Sequence, residues 1–192
     1  NTCPKSSKNL YINGAKMYQT LIKKNKENKE LAQKYVDTLM WVYDMRMEHF
    51  GQKCYVMGRK GGDLLKYRKS DPLASHNILK EAMACGGEKT DPGALYYLIV
   101  SGTRAHKKEK VTLDELISTF SEAMGNADKA ISVLKKKGDA KSQKKIDKYV
   151  DSQERMVKNM GPFLTPEIIK DIVSKNFEAN KDNAAWLKLM AR

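Results

Sequence analysis

The feature that most constrains the fold is a proline that directly follows a helix-capping residue, at three places in the chain. These pairs are Asp71-Pro72, Asp91-Pro92 and Thr165-Pro166. The side-chain oxygen of the first residue can cap the free amides of a first helical turn. Proline suits the next position because it has no amide hydrogen to leave unpaired. Each pair therefore predicts the start of a helix.

Between these starts, apolar residues recur every three or four residues, which is the period of an α-helix. The clearest series covers residues 112–137 and, after a turn containing Gly138, residues 141–160. We expect these two helices to fold back as an antiparallel hairpin with Phe120 in its core. At its start, Thr112 and Glu115 match a capping box, in which the glutamate reaches back to the amide of the cap residue.

The same spacing extends along the whole chain and predicts about nine helices. Besides the hairpin, they lie around residues 11–22, 31–50, 63–68, 72–85, 92–106, 168–177 and 185–189. The apolar run at residues 94–100 has the composition of a buried strand, but the preceding Asp-Pro pair favours a helix. Glycine (12 residues) and proline (5 residues) are too scarce for a turn-rich sandwich or barrel. The sequence therefore predicts an all-α fold.

The charge is strongly positive but evenly spread. The net charge is +13, and the two halves of the chain share the excess, most of it lysine. A dedicated nucleic-acid reader concentrates arginine and lysine on one face or carries a recognisable module. A solvated lysine-rich surface is therefore the favoured interpretation. Electrostatic binding of nucleic acid or another anionic polymer is the alternative. The lysine group at residues 135–145 would lie at the tip of the predicted hairpin. We interpret it as a solvent-exposed loop, and binding of an anionic surface is the alternative.

No group of residues indicates catalysis, a cofactor or a metal. The three histidines are isolated, and the three cysteines form no C-x-x-C pair. We expect neither a disulfide framework nor a zinc site, and we expect Cys54 and Cys85 to be small buried apolar residues. The longest apolar run has seven residues, which is too short to span a membrane. The sequence predicts a protein that is not an enzyme.

The Gly-rich basic segment at residues 58–62 (GRKGG) lacks the spacing of a phosphate-binding loop. It is interpreted as a turn that leads into a helix at Asp63. Within it, Arg59 and Lys60 are the most suitable place for an anion or a partner carboxylate to bind.

Short helices followed by longer ones recur along the chain. Their starts lie near residues 7, 58, 92, 141 and 182, at intervals typical of stacked helix pairs in an α-solenoid. We expect one helical-repeat domain over residues 1–192. The chain begins at Asn1 rather than methionine and ends inside an apolar series, so we also expect it to be part of a longer repeat protein.

Three segments carry a family resemblance: residues 3–16 (CPKSSKNLYINGAK), 42–51 (VYDMRMEHFG) and 55–68 (YVMGRKGGDLLKYR). They resemble tetratricopeptide-repeat proteins of the Bacteroidetes. The resemblance covers residues 1–85 and is architectural beyond them. It implies a right-handed solenoid of antiparallel helix pairs and a non-enzymatic scaffold that binds a protein or peptide. It also implies a concave face lined by the first helices, and a place in the cell envelope, in the periplasm or at the outer membrane.

Five residues are candidates for that concave face: Asn13, Lys16, Arg59, Lys60 and Arg104. Lysine and arginine pair with carboxylates, and asparagine can hold backbone amides without selecting a sequence. The expected partner is therefore an acidic or C-terminal peptide.

Overall fold

The computed structural model describes residues 5–170 and residue 174, which form helices and connecting turns without a β-strand. Seven α-helices are complete within this range: α1 (Lys8–Lys24), α2 (Lys29–Phe50), α3 (Lys53–Tyr67), α4 (Pro72–Gly86), α5 (Pro92–His106), α6 (Leu113–Lys135) and α7 (Ala140–Met160). Short 3-10 turns follow α4 and α7, and residues 166–170 begin an eighth helix. The all-α prediction is confirmed. The helix predicted around 185–189 and most of that predicted around 168–177 lie outside the described residues, as does the predicted start near residue 182.

The predicted helix starts at the Asp-Pro pairs are confirmed. Helices α4 and α5 begin at Pro72 and Pro92. The preceding aspartate accepts a hydrogen bond from a first-turn amide in each case, at 3.1 Å for Asp71 and 2.9 Å for Asp91. Six of the seven helices have such a side-chain cap. The exception is α3, which follows Gln52 in the left-handed region, at φ +56°.

The capping box at the start of α6 forms only in part. Thr112 Oγ1 accepts a hydrogen bond from the amide of Glu115 at 3.2 Å, as predicted. The carboxylate of Glu115 does not reach back, because Lys80 of α4 donates to its Oε1 at 2.7 Å. This hydrogen bond is the main cause that holds the pKa of Glu115 below its usual value. A charged donor is a stronger partner for a carboxylate than a neutral amide.

The interpretation of residues 58–62 as a turn is wrong. These residues lie in the middle of α3, and the helix predicted to begin at Asp63 begins at Lys53. A Cβ atom at Gly61 would lie 2.5 Å from Cγ of Leu79 in α4. A Cβ atom at Gly58 would lie 3.0 Å from that of Ala94 in α5. The glycines therefore allow α3 to approach both neighbours, at a cost in helix propensity.

The expectation that Cys54 and Cys85 are small buried apolar residues is wrong. They form a disulfide between the first turn of α3 and the last turn of α4, with Cα atoms 5.3 Å apart. Cys54 is half-buried and Cys85 is exposed. The pair forms because α3 and α4 pack along their lengths, so residues that are 31 apart in sequence become neighbours.

Two apolar clusters make up the core. The first lies mainly among α1, α2 and α3, where Leu39 and Val56 are fully buried. The second joins α4 to α7 around Leu98, Phe120 and Met156. The core position predicted for Phe120 is confirmed, because its side chain is only 1% exposed. Helix α5 contacts α3, α4, α6 and α7, so it connects the two halves of the molecule.

Candidate functional site

A cleft of about 220 Å³ opens where α1, α3 and the start of α5 meet. Its floor consists of residues from successive turns of α3, namely Arg59, Gly62, Asp63 and Lys66. Gln19 of α1 forms one wall, and the segment from Asp91 to Tyr97 forms the other. The cleft thus combines charged side chains with backbone that glycine leaves uncovered.

Gly62 sets the width of the cleft. A Cβ atom at this position would lie 3.0 Å from Cδ2 of Tyr97, so the aromatic ring packs directly over the helix backbone. The side chain of Tyr97 is still 39% exposed. Tyr55, one turn before Arg59 on α3, is 49% exposed but lies outside the cleft lining, with the guanidinium of Arg46 5.7 Å from its ring. An incoming ligand would therefore meet one partly exposed aromatic ring beside the charged floor.

Hydrogen bonds from two other helices hold the carboxylate of Asp63 in place. The hydroxyl of Tyr43 in α2 donates to Asp63 Oδ2 at 2.6 Å, and Gln19 Nε2 donates to the same oxygen at 2.5 Å. Burial, followed by the charge of Asp63, raises the pKa of Tyr43 far above its usual value. Tyr43 therefore stays protonated and remains a donor. The network joins α1, α2 and α3 at the side of the cleft.

The second carboxylate in the cleft, that of Asp91, is also engaged. Its Oδ1 caps α5 by accepting from the amide of Gly93 at 2.9 Å. Helix α7 holds this end of α5 from behind. The hydroxyl of Tyr149 donates to the carbonyl of Thr90 at 2.7 Å, and Ser152 Oγ donates to the carbonyl of Pro92 at 2.6 Å. Burial and the nearby Asp91 raise the pKa of Tyr149 to about 12, so its hydroxyl stays a donor.

Arg59 differs from these residues because no described residue binds its charged group directly. Its guanidinium makes no ion pair or hydrogen bond with the residues that the structure describes. Burial lowers its pKa, but the surrounding Tyr43, Tyr55, Asp63 and Asp91 outweigh burial and raise the pKa above the usual value. Arg59 therefore carries a permanent positive charge with its N–H donors unused. A guanidinium in this state suits a carboxylate or another planar anion.

The five sequence candidates lie at different places. Arg59 lines the cleft, whereas Asn13 and Lys16 are exposed on α1 and Arg104 is exposed near the end of α5, all outside the cleft lining. Lys60, next to Arg59 in sequence, points to α2, where its Nζ binds Asp44 Oδ1 at 2.6 Å. The structure therefore separates the two basic residues that the sequence placed together.

Arg59 is the one candidate among the ten residues that line the cleft, and the nine others, including Gln19, Lys66 and Asp91, were not predicted. The spacing of Arg59 and Lys66, two turns apart on one helical face, would have indicated the floor, had residues 58–62 been interpreted as helical. Asp91 was recognised only as a helix cap. Nothing in the sequence signals Gln19, because its role depends on how α1 packs beside α3.

The comparisons add no relative. No family model matches the chain, and neither a curated protein nor a solved structure is significantly similar to it. Across the residues that the structure describes, no three metal-binding side chains (His, Cys, Asp or Glu) come together. None of the described helices is both long and apolar enough to cross a membrane.

Proposed function

We propose that this chain is a protein-interaction scaffold of the tetratricopeptide-repeat type, and that its cleft binds an acidic or C-terminal peptide segment. The observation that carries the proposal is Arg59, on the floor of a cleft formed by three helices, whose guanidinium makes no ion pair or hydrogen bond with a described residue. Both carboxylates beside it are already bound by other groups. A ligand carboxylate could therefore pair with Arg59 without displacing an internal ion pair.

Contacts between consecutive helices support the solenoid part of this proposal. The ring of Tyr11 near the start of α1 lies 5.7 Å from that of Phe50 at the end of α2, and Tyr18 lies 6.0 Å from Tyr35. These contacts, like the disulfide between α3 and α4, fit helices that run in opposite directions. We place α1 with α2, α3 with α4, and α5 with α6 as antiparallel pairs. The cleft would then lie on the first helices of three successive pairs, as on the concave face of a right-handed solenoid.

The cleft chemistry supports a peptide ligand in particular. An arginine can bind a carboxylate through two parallel hydrogen bonds, which fixes the orientation of the ligand. The exposed ring of Tyr97 offers apolar contact area next to it. We also propose that the scaffold is not an enzyme, because both carboxylates of the cleft, those of Asp63 and Asp91, are held in structural hydrogen bonds.

The disulfide supports a location outside reducing compartments. Disulfides persist in secreted and periplasmic proteins and are rare where thiols are kept reduced. Cys85 is exposed, so a reductant could reach the Cys54–Cys85 bond. This agrees with the cell-envelope location that the family resemblance implies.

The test uses a library of random-sequence peptides, prepared with either a free or an amidated C-terminus, and the chain with its disulfide intact. We expect the chain to retain carboxylate-ended or acidic peptides. Arg59→Gln should weaken the binding of the selected peptides by roughly ten- to a hundredfold, because a hydrogen bond to a charged group contributes about 1.5–3 kcal/mol. Affinities are measured by fluorescence anisotropy.

Arg104→Gln is the matched control, because this arginine is also exposed but lies outside the cleft. Its affinities should equal those of the unaltered chain. Lys60 is left unchanged in both variants, since reversing its charge would break the ion pair with Asp44. Equal retention of amidated, neutral peptides, or equal losses in the two variants, would contradict the proposed site.

A further inference from the structure

The segment around the turn between α6 and α7 carries the largest net positive charge of any stretch of its length in the chain. Residues 135–148 contain seven lysines and two aspartates, a net charge of +5 out of +13. All seven lysines are exposed, and together they form the lysine tip: Lys135, Lys136, Lys137, Lys141, Lys144, Lys145 and Lys148. The tip lies apart from the cleft, none of whose lining residues belongs to α6 or α7.

The two aspartates of this segment do not neutralise the lysine tip. Asp139 caps α7 by accepting from the amide and the hydroxyl of Ser142, at 2.8 and 2.9 Å. Asp147 accepts from Gln143 Nε2 at 2.8 Å. No ion pair with a described residue involves a lysine of the tip. The positive charge is therefore open to solvent and to a partner.

Helix stability accounts for the lysines at the end of α6 but not for those near the start of α7. Lysines at the end of α6 interact favourably with the negative end of that helix. Lys141 lies in the first turn of α7, where positive charge is unfavourable, and this turn contains no acidic residue. Lys144 and Lys145 lie in the second turn, where the helix dipole has little effect, so they do not stabilise the helix through it either. A role outside the fold accounts for these three lysines better than helix stability does.

The composition of the tip distinguishes between kinds of anionic partner. It contains no arginine, which makes paired hydrogen bonds to base edges, and no exposed aromatic residue, which stacks on bases. Lysine is a compact charge that attracts phosphate without fixing its orientation. Val133 is 39% exposed and lies in the last turn of α6, shortly before Lys136 and Lys137 in the chain. An exposed aliphatic side chain beside lysines suits the interface of a lipid bilayer.

We propose that the lysine tip binds the surface of a membrane that contains anionic lipids, with its ammonium groups among the lipid phosphates and Val133 at the interface. Basic residues near such a surface add their attraction one by one, each strengthening the partition coefficient by roughly fivefold at moderate salt. The tip would hold the scaffold at a membrane while the cleft faces its own ligand.

The experiment measures sedimentation of the full chain with vesicles of phosphatidylcholine, prepared with and without phosphatidylglycerol. We expect binding only to the phosphatidylglycerol vesicles, and release at high salt because exposed charges are screened. A variant with Lys136, Lys137, Lys144 and Lys145 changed to Gln should partition more than about a hundredfold more weakly, at roughly fivefold for each lysine. Circular dichroism confirms that this variant keeps its helices.

The control variant changes Lys8, Lys23, Lys24 and Lys29 to Gln, which are also exposed lysines, lie in α1 and α2, and make no ion pair with a described residue. It has the same net charge as the tip variant, and it should partition within about fivefold of the unaltered chain, the worth of one lysine. Equal weakening in the two variants would show a general charge effect and overturn the proposal. Absence of binding to phosphatidylglycerol vesicles would overturn it too, as would tip-dependent binding to duplex DNA in place of vesicles.

Discussion

Replacing Gly61 by alanine tests whether close packing, rather than helix propensity, selects the residue at this position of α3. The new Cβ atom would lie 2.5 Å from Cγ and 2.9 Å from Cδ2 of Leu79. Cγ is the branch point of a side chain that is 1% exposed, so it cannot swing away into solvent. Ser75 also donates a hydrogen bond to the carbonyl of Gly61 at 2.8 Å, and this bond would lengthen if the helices moved apart.

The two opposing effects differ in size. Alanine favours a helix over glycine by about 1 kcal/mol. Overpacking a dense core costs about 1–3 kcal/mol, and contact with a branched carbon atom places Gly61→Ala at the upper end. We therefore expect the variant to lose about 2 kcal/mol of unfolding free energy. Gly14→Ala in α1 is the matched control, because its Cβ atom would lie 3.8 Å from Val42, an ordinary contact. It should gain about 0.5–1 kcal/mol.

Urea denaturation followed by helical circular dichroism measures both changes, with the disulfide kept oxidised. A second step replaces Leu79 by alanine. Alone, this change should cost about 2–5 kcal/mol. Combined with Gly61→Ala it should cost no more, because the added methyl group occupies part of the vacated space. The reasoning would be refuted if Gly61→Ala were as stable as the unaltered chain, or more stable.

Three further changes test the core, the disulfide and a buried histidine. Phe120→Ala should cost about 3–5 kcal/mol in urea denaturation, and a loss under about 1 kcal/mol would contradict its burial. Removing the disulfide by Cys54→Ser with Cys85→Ser should lower the unfolding free energy by about 3–4 kcal/mol, because the bond closes a loop between residues 31 positions apart. Reducing the unaltered chain should lower it by a similar amount, and no loss on reduction would contradict the prediction. His76 is fully buried, and burial lowers its pKa below the unfolded value of 6.5. The unfolded chain therefore takes up the proton first, and unfolding free energy should fall by up to about 1.4 kcal/mol per pH unit as pH drops from 7 towards 5. His76→Gln should flatten this slope, and an unchanged slope would exclude His76 as its source.

Local chemistry allowed much of the fold to be predicted. Asp71 and Asp91 act within their own helix starts, so their roles depend on neighbours in sequence. The spacing of apolar residues around Phe120 likewise identifies the buried face of a single helix. Features that depend on a single helix were therefore open to prediction, including the core position of Phe120.

Features that depend on two helices were missed for a physical reason. Residues 58–62 have poor helix propensity, and the compensating contacts lie on Leu79 and Ala94, in other helices. The pairing of Cys54 with Cys85 depends on which helix ends meet, and spacing along the chain does not encode it. The cleft required the same kind of information. Arg59 was a candidate by its charge, but Lys60 shared that charge and only the packing of α2 shows that Asp44 binds it.

The disulfide between α3 and α4 also determines how the molecule would carry tension. Its sulfur atoms join residues 31 positions apart, whose Cα atoms are only 5.3 Å from each other. A pull along the chain would pass through the sulfur atoms from Cys54 to Cys85 and leave the peptide between them unloaded. At about 3.3–3.6 Å per residue, roughly 100 Å of chain would be withheld from extension. Arg59 and Asp63 lie inside this protected loop, so the floor of the cleft would carry no load while helices on either side unravelled.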